Sequence, residues 1–207
     1  MAATTSGRYR VLDSHRDGRE FLLVHLDDES FEPTVVEATG YDGALADGVA
    51  ALRPGYVVEA ALDWDGDGNA RFAALSVERR SLFAFVDDVT GLFEAALGTW
   101  REAAASGDAM NSRVTRNTDG EPNGVLYVFA EQRGARDLFA EFRNGTLPIE
   151  PLVSKVEEGR DDDGEREVFV MRPADEPFVL VYVVFRKGGL LADTIRDTYD
   201  CPRTVPG

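Results

Sequence analysis

The string Arg186-Lys187-Gly188-Gly189 puts two cations directly before a predicted helix start. Free backbone N–H groups collect at such a start, and with the two cations they suit an anion such as phosphate. Asn111, Arg113 and Arg116, in the polar stretch 108–124, add donors to the same anion-binding candidate. Lys187 stands out because Lys155 is the only other lysine. A second set is aromatic. Phe21, Tyr56, Trp64 and Phe72 fall in strand-like runs, where they would either stack on nucleic-acid bases or fill the core of a small barrel.

Other chemistry-bearing residues are isolated. Asp63, Asp65, Asp67 and Gly68 follow the start of a calcium-loop pattern, but Ala74 stands where that loop needs a bidentate Glu. The string therefore reads as a tight turn between strands. His15, His25 and the single Cys201 are too few for a zinc set. His25 shares a strand face with Phe21 and Leu23 and reads as half-buried, whereas His15 reads as solvated. Cys201 has no neighbouring His to stabilise a thiolate. The triplet 161–163 reads as a solvated acidic turn. The phosphate-loop, dinucleotide, nucleophile-elbow and HExxH strings do not occur. No catalytic residue, metal or cofactor is expected.

The elements that would hold these residues follow from periodicity. Residues 8–13, 20–27, 34–39, 56–64 and 70–79 read as strands, and Leu45, Val49 and Leu52 place a helix over 42–52. Beyond residue 80 the apolar residues between 82 and 100 recur at threes and fours, which predicts a long amphipathic helix. The stretch 108–124 reads as a long polar loop. Strands are expected at 125–130, 167–172 and, centrally, 177–186. Helices are expected at 133–143 and 190–199, with 147–156 extended. The fold class is α+β: residues 1–80 form a small barrel, and residues 81–207 an α+β domain with an antiparallel sheet and about three helices.

The chain carries 38 acids and 22 bases, hence −16. The charge is evenly spread: residues 1–80 hold 8 bases and 15 acids (−7), and residues 81–207 hold 14 and 23 (−9). Arginine outnumbers lysine 20 to 2, and valine outnumbers isoleucine 22 to 2. This pattern resembles proteins of extreme halophiles, whose acidic coats suit a solvent in which charge repulsion is screened. It leaves nucleic acid open as a partner, since phosphate contacts weaken in concentrated salt. No run of about 18 apolar residues occurs, and the N-terminus lacks an apolar signal core, so a cytoplasmic protein is expected.

Two further resemblances concern named families. The order strand, strand, strand, helix, strand, strand, with the entry Gly55-Tyr56-Val57-Val58, is similar to an OB-fold, which implies an oligonucleotide- or oligosaccharide-binding face. An SH3-like or other small barrel has an equal claim. The segments RPGYVVEAALDWDGDG and EPNGVLYVFAE, with the Asp-rich and Lys-poor composition, resemble an uncharacterised haloarchaeal domain-of-unknown-function family. That resemblance implies no mechanism. The expected class is a non-enzymatic binding module for RNA, DNA or a protein. The alternatives are a dimerisation scaffold using the helix face around Phe93 and Trp100, and an enzyme built on the anion site near Lys187.

Overall fold

A computed structural model describes residues 3–14, 18–28, 30–131, 134, 136–162 and 164–203. The expectations for His15, for the third acid of the 161–163 run and for a helix start at Arg133 fall outside them. The chain divides into two compact units. One comprises Met1–Leu82 with Asn144–Glu150 and Thr204–Gly207, the other Phe83–Arg143 with Pro151–Arg203.

The first unit contains β1 (Ala3–Asp13), β2 (Glu20–His25), β3 (Pro33–Glu37), α1 (Gly43–Ala50), β4 (Val57–Trp64) and β5 (Ala70–Arg79). The strands close on themselves in the order β1-β2-β3-β5-β4. Four of the pairings are antiparallel, and β3 meets β5 in parallel through a single residue pair, Val36↔Ala70. Val11, Leu23, Val36, Val58, Leu62 and Phe72 fill the interior, and Val49 of α1 joins them. Burying each such side chain contributes about 1.5–3 kcal/mol, so the ring rests mainly on this core. On β1, a Cβ at Gly7 would lie 2.3 Å from His25 Nε2. Only glycine leaves room there for the half-buried imidazole, which also meets the Tyr9 ring edge-on at 4.9 Å.

The segment Asn144–Glu150 belongs to this unit although it comes much later in sequence. Gly145, at φ 76°, sits against Leu12, Val24 and Pro33. Glu150 closes on Arg10 through two parallel bonds, Nε to Oε1 at 2.8 Å and Nη2 to Oε2 at 2.9 Å. The third guanidinium nitrogen, Nη1, donates to Gly55 O at 2.8 Å. A buried pair of charges is tolerable only with such complete bonding.

The second unit holds β6 (Leu82–Val89), α2 (Glu94–Ser106), β7 (Met110–Arg116), β8 (Pro122–Ala130), α3 (Leu138–Arg143), α4 (Glu150–Glu158), β9 (Glu167–Pro173), β10 (Phe178–Val184) and α5 (Leu190–Thr198). Two of the boundaries between the units thus fall inside elements, after Leu82 in β6 and after Glu150 in α4. The sheet order is β6-β9-β10-β8-β7, with β10 central as its doubly apolar sequence predicts. Three of its pairings, β9–β10, β10–β8 and β8–β7, are antiparallel. One face, with Leu126, Phe169, Leu180 and Tyr182, packs on Leu92 and Ala96 beside α2 and on Ala192 and Ile195 of α5. On the other face Phe129 meets Phe142 of α3 at 5.4 Å. The protein is therefore α+β, with two five-stranded sheets and five helices. No described helix is long and apolar enough to cross a membrane.

Three expected elements differ. Residues 82–100 do not form one helix: β6 ends at Val89, and Asp88 (φ 57°) and Gly91 (φ 65°) turn the chain before α2 starts at Glu94. The apolar spacing of Leu82, Phe83, Phe85, Val86 and Val89 fits a strand covered on both faces as well as a helix, and the aromatic residues favour the strand. The polar loop 108–124 is mostly β7 and the start of β8. As an edge strand with one exposed face, β7 needs few apolar residues. Residues 150–156 are helical, because Pro151 sits in the first turn of α4, where proline is well tolerated.

Candidate binding cleft on the strand ring

The seam between β3 and β5 is the weak point of the ring, and a cleft of about 380 Å³ opens there. β3 is fully laddered to β2, from Glu20↔Glu37 to Val24↔Pro33, but pairs with β5 through Val36 and Ala70 alone. Trp64, at the end of β4, forms part of the wall, fixed by its Nε1–H donating to Thr5 Oγ1 at 2.9 Å. Val35, one of the exposed large apolar side chains, adds a second hydrophobic surface. Thr34 and Asn69 supply neutral polar groups.

The rim is acidic. Glu20 accepts from Ser14 Oγ at 3.1 Å, and Glu37 is paired with Arg71. Arg71 in turn donates to Gly40 O at 2.7 Å and lies over the Tyr41 ring at 5.0 Å. The Tyr41 hydroxyl donates to Glu37 O at 2.6 Å and accepts from Phe72 N at 3.0 Å, and burial raises its pKa above the ordinary value. The turn 65–69 is self-contained. Asp65 Oδ1 accepts the N–H groups of Asp67 and Asn69, and Asp65 Oδ2 accepts Asn69 Nδ2 at 2.8 Å. The Asn69 side chain, then its N–H, hold the Asp65 carboxyl below its usual range. Of the acids that gave this string its calcium-like spacing, Asp65 thus serves the turn itself, and Asp63 accepts from Thr4 Oγ1 at 2.6 Å.

Of the four aromatic candidates, Trp64 alone lines this cleft. Phe72 is buried, 6.0 Å from Tyr41, and Phe21 and Tyr56 pack half-buried against the ring interior. In the anion-site set, Lys187 donates to Glu165 at 2.9 Å, and Gly188 N–H donates to Glu167 Oε1 at 2.9 Å. Gly189 is the N-cap of α5, and Arg186 is exposed. Arg113 pairs with Glu102 at 2.5 Å, Asn111 Nδ2 donates to Thr99 O at 3.3 Å, and Arg116 donates to Gly120 O at 2.8 Å. Thr115, Gly124 and Val184 share one ladder row, so Arg116 and Arg186 stand at the same end of the sheet with β8 between their strands. Asn111 lies four residues down, level with Leu180.

Two charged clusters escaped the sequence reading. One is Arg10 with Glu150. The other is Glu167, fully buried, which takes Arg196 on Oε2 at 2.5 Å and Arg203 on Oε1 at 3.0 Å. Arg196 on the apolar stripe of α5, between Ala192 and Tyr199, was the available signal. A hollow of about 390 Å³ in the second unit is ringed by Asp87, Asp88, Glu131, Glu176 and Arg172. There Arg172 binds Asp87 at 2.7 and 2.6 Å and Asp137 at 3.0 Å, and these bonds hold the Asp87 carboxyl below its usual range.

A strand ring with one open, aromatic-walled seam, joined in one chain to a helix-flanked sheet, defines an α+β protein with a cleft at that seam. The chain belongs to a family of unknown function, DUF6663, whose family model matches residues 1–204. No curated protein and no solved structure matches it.

Proposed function

We propose that the protein is a binding module with an OB-like ring, and that the seam cleft takes an extended segment of a protein partner. Support for the OB reading is the helix between the third and fourth strands together with the ring order 1-2-3-5-4. In such folds strands 2 and 3 and the loop between strands 4 and 5 form the binding surface. This cleft is built from those parts, since Glu20, Thr34, Val35 and Asn69 all line it. The observation that carries the choice of partner is an apolar wall, Trp64 with Val35, under a rim of Glu20 and Glu37 and with no cation among the lining residues. With Glu37 already paired to Arg71, Glu20 is the carboxylate of this rim that disfavours phosphates and accepts the donors of a lysine or arginine. Lys187, Asn111, Arg113 and Arg116 are engaged in internal bonds, which weakens the enzyme reading.

Selection of a displayed library of short random peptides against the protein and against Trp64→Ala tests this. Trp64-dependent enrichment of extended sequences that alternate basic and β-branched residues is the expected result. Absence of any Trp64-dependent enrichment overturns the cleft. Trp64-dependent binding of oligo-dT in place of peptides would transfer the site to nucleic acid. The even charge of −16 further supports a halophilic, cytoplasmic setting.

A further inference from the structure

β7 is an edge strand: β8 is its only neighbour in the sheet. Two of the exposed large apolar side chains among the described residues, Met110 and Val114, each 49% exposed, stand on its outer face. The backbone direction is also fixed. Ala130 N–H donates to Ala109 O at 2.9 Å, so the odd-numbered residues of this stretch bond toward β8 and the even-numbered ones face outward. Ser112 N–H, facing outward, donates to the Asn111 side chain at 2.8 Å rather than to a strand among the described residues. Unguarded edges of this kind are templates for another strand.

We infer that β7 is a homodimerisation edge that pairs antiparallel with β7 of a second copy, with Ser112 on the two-fold axis. The segment is self-complementary in this register. Met110 falls opposite the partner's Val114, Ser112 opposite the partner's Ser112, and Asp108 opposite the partner's Arg116. The apolar pair and the ion pair each occur twice by symmetry. All the outward backbone groups from 110 to 114 then meet outward groups of the other copy, and the Asn111 side chain releases Ser112 N–H to the ladder. Centring the axis one residue later sets Arg113 against Arg113 and Met110 against Arg116, which loses both matches. In a chain of net charge −16, a strand with two arginines and no acid, preceded by one exposed aspartate, is a local exception that suits a second copy of itself. One seven-residue edge gives an interface at the small end of the stable range, so the dimer depends on protein concentration.

The experiment is sedimentation velocity on the full chain up to about 1 mM, where weak interfaces associate, combined with disulfide trapping. Opposed residues in a bonded antiparallel pair have Cα atoms about 5.5 Å apart, within disulfide reach. In a Cys201→Ser background, Ser112→Cys is therefore expected to cross-link to itself much faster than Ala73→Cys, an exposed position on β5. Asp108→Arg and Arg116→Glu are each expected to weaken association about tenfold, and together to restore it. A protein monomeric at every concentration, a double variant no better than the single ones, or equal cross-linking at 112 and 73 would each overturn the inference.

Discussion

Replacing Glu150 with Gln takes from the buried Arg10 guanidinium the carboxylate that bonds its Nε and Nη2. The side chains of Arg10 and Glu150 are only 5% and 7% exposed, so water cannot take over the lost partner. Breaking one side of such a pair costs about 3–5 kcal/mol. At a urea slope of about 1–3 kcal/mol per molar, the unfolding midpoint of the ring falls by roughly 1–5 M. Trp64 reports on the ring once Trp100, in the second unit, is changed to Phe. Exposed Arg101 and Glu94, 61% and 79% accessible and 2.8 Å apart, are the control, and Glu94→Gln should cost no more than about 1 kcal/mol. The joint replacement Arg10→Met with Glu150→Leu removes both charges and takes the Arg10 donor from Gly55 O, so it should recover to within about 1–2 kcal/mol of the parent. If Glu150→Gln is as mild as the control, or the joint variant as unstable as the single one, the account of this pair is refuted.

Three more outcomes follow. Gly7→Ala must displace His25 and should cost about 1–3 kcal/mol, which calorimetry would read as a lower melting temperature for the ring; an unchanged temperature would contradict the close approach. Burial works against ionisation of Asp162, yet bonds from Arg160, Arg166 and Gly164 N–H outweigh it and hold the carboxyl at about 2. Because this folded-state pKa lies below the unfolded one, the contribution is complete above about pH 4 and disappears as pH falls through about 2. Asp162→Asn should flatten stability over that window, and an unaltered acid profile would count against the cluster. With a Debye length of about 10 Å at 0.1 M and 3 Å at 1 M, the unfolding midpoint of this −16 chain should rise as KCl is increased. A midpoint independent of salt would remove the halophilic reading.

Strands β2, β4, β5, β9 and β10 were legible because their apolar residues alternate or run unbroken between turn residues, and Trp64 was visible as an aromatic at a strand end. β6 was hidden because Leu82, Phe85, Val86 and Val89 satisfy a helical and a strand spacing at once, and a neighbouring strand, β9, decided between them. β7 was hidden for the opposite reason, since Asn111, Arg113 and Thr115 face α2 with polar side chains and leave almost no hydrophobic period. The cleft itself was not legible. It arises because β3 and β5 meet at one pair, Val36↔Ala70, a fact of ring closure rather than of either strand's sequence. The Arg10–Glu150 bond joins residues 140 positions apart, a separation over which no local pattern signals pairing.

That separation has a consequence for how the chain is made. At a synthesis rate of about 5–20 residues per second, Arg10 is made roughly 7–28 s before Glu150 exists. Until then the ring lacks the carboxylate that bonds Nε and Nη2 of Arg10, so the docking of Asn144–Glu150 onto it follows translation of β6, β7 and β8. Assembly of the N-terminal unit is thereby completed only once the middle of the message has been read.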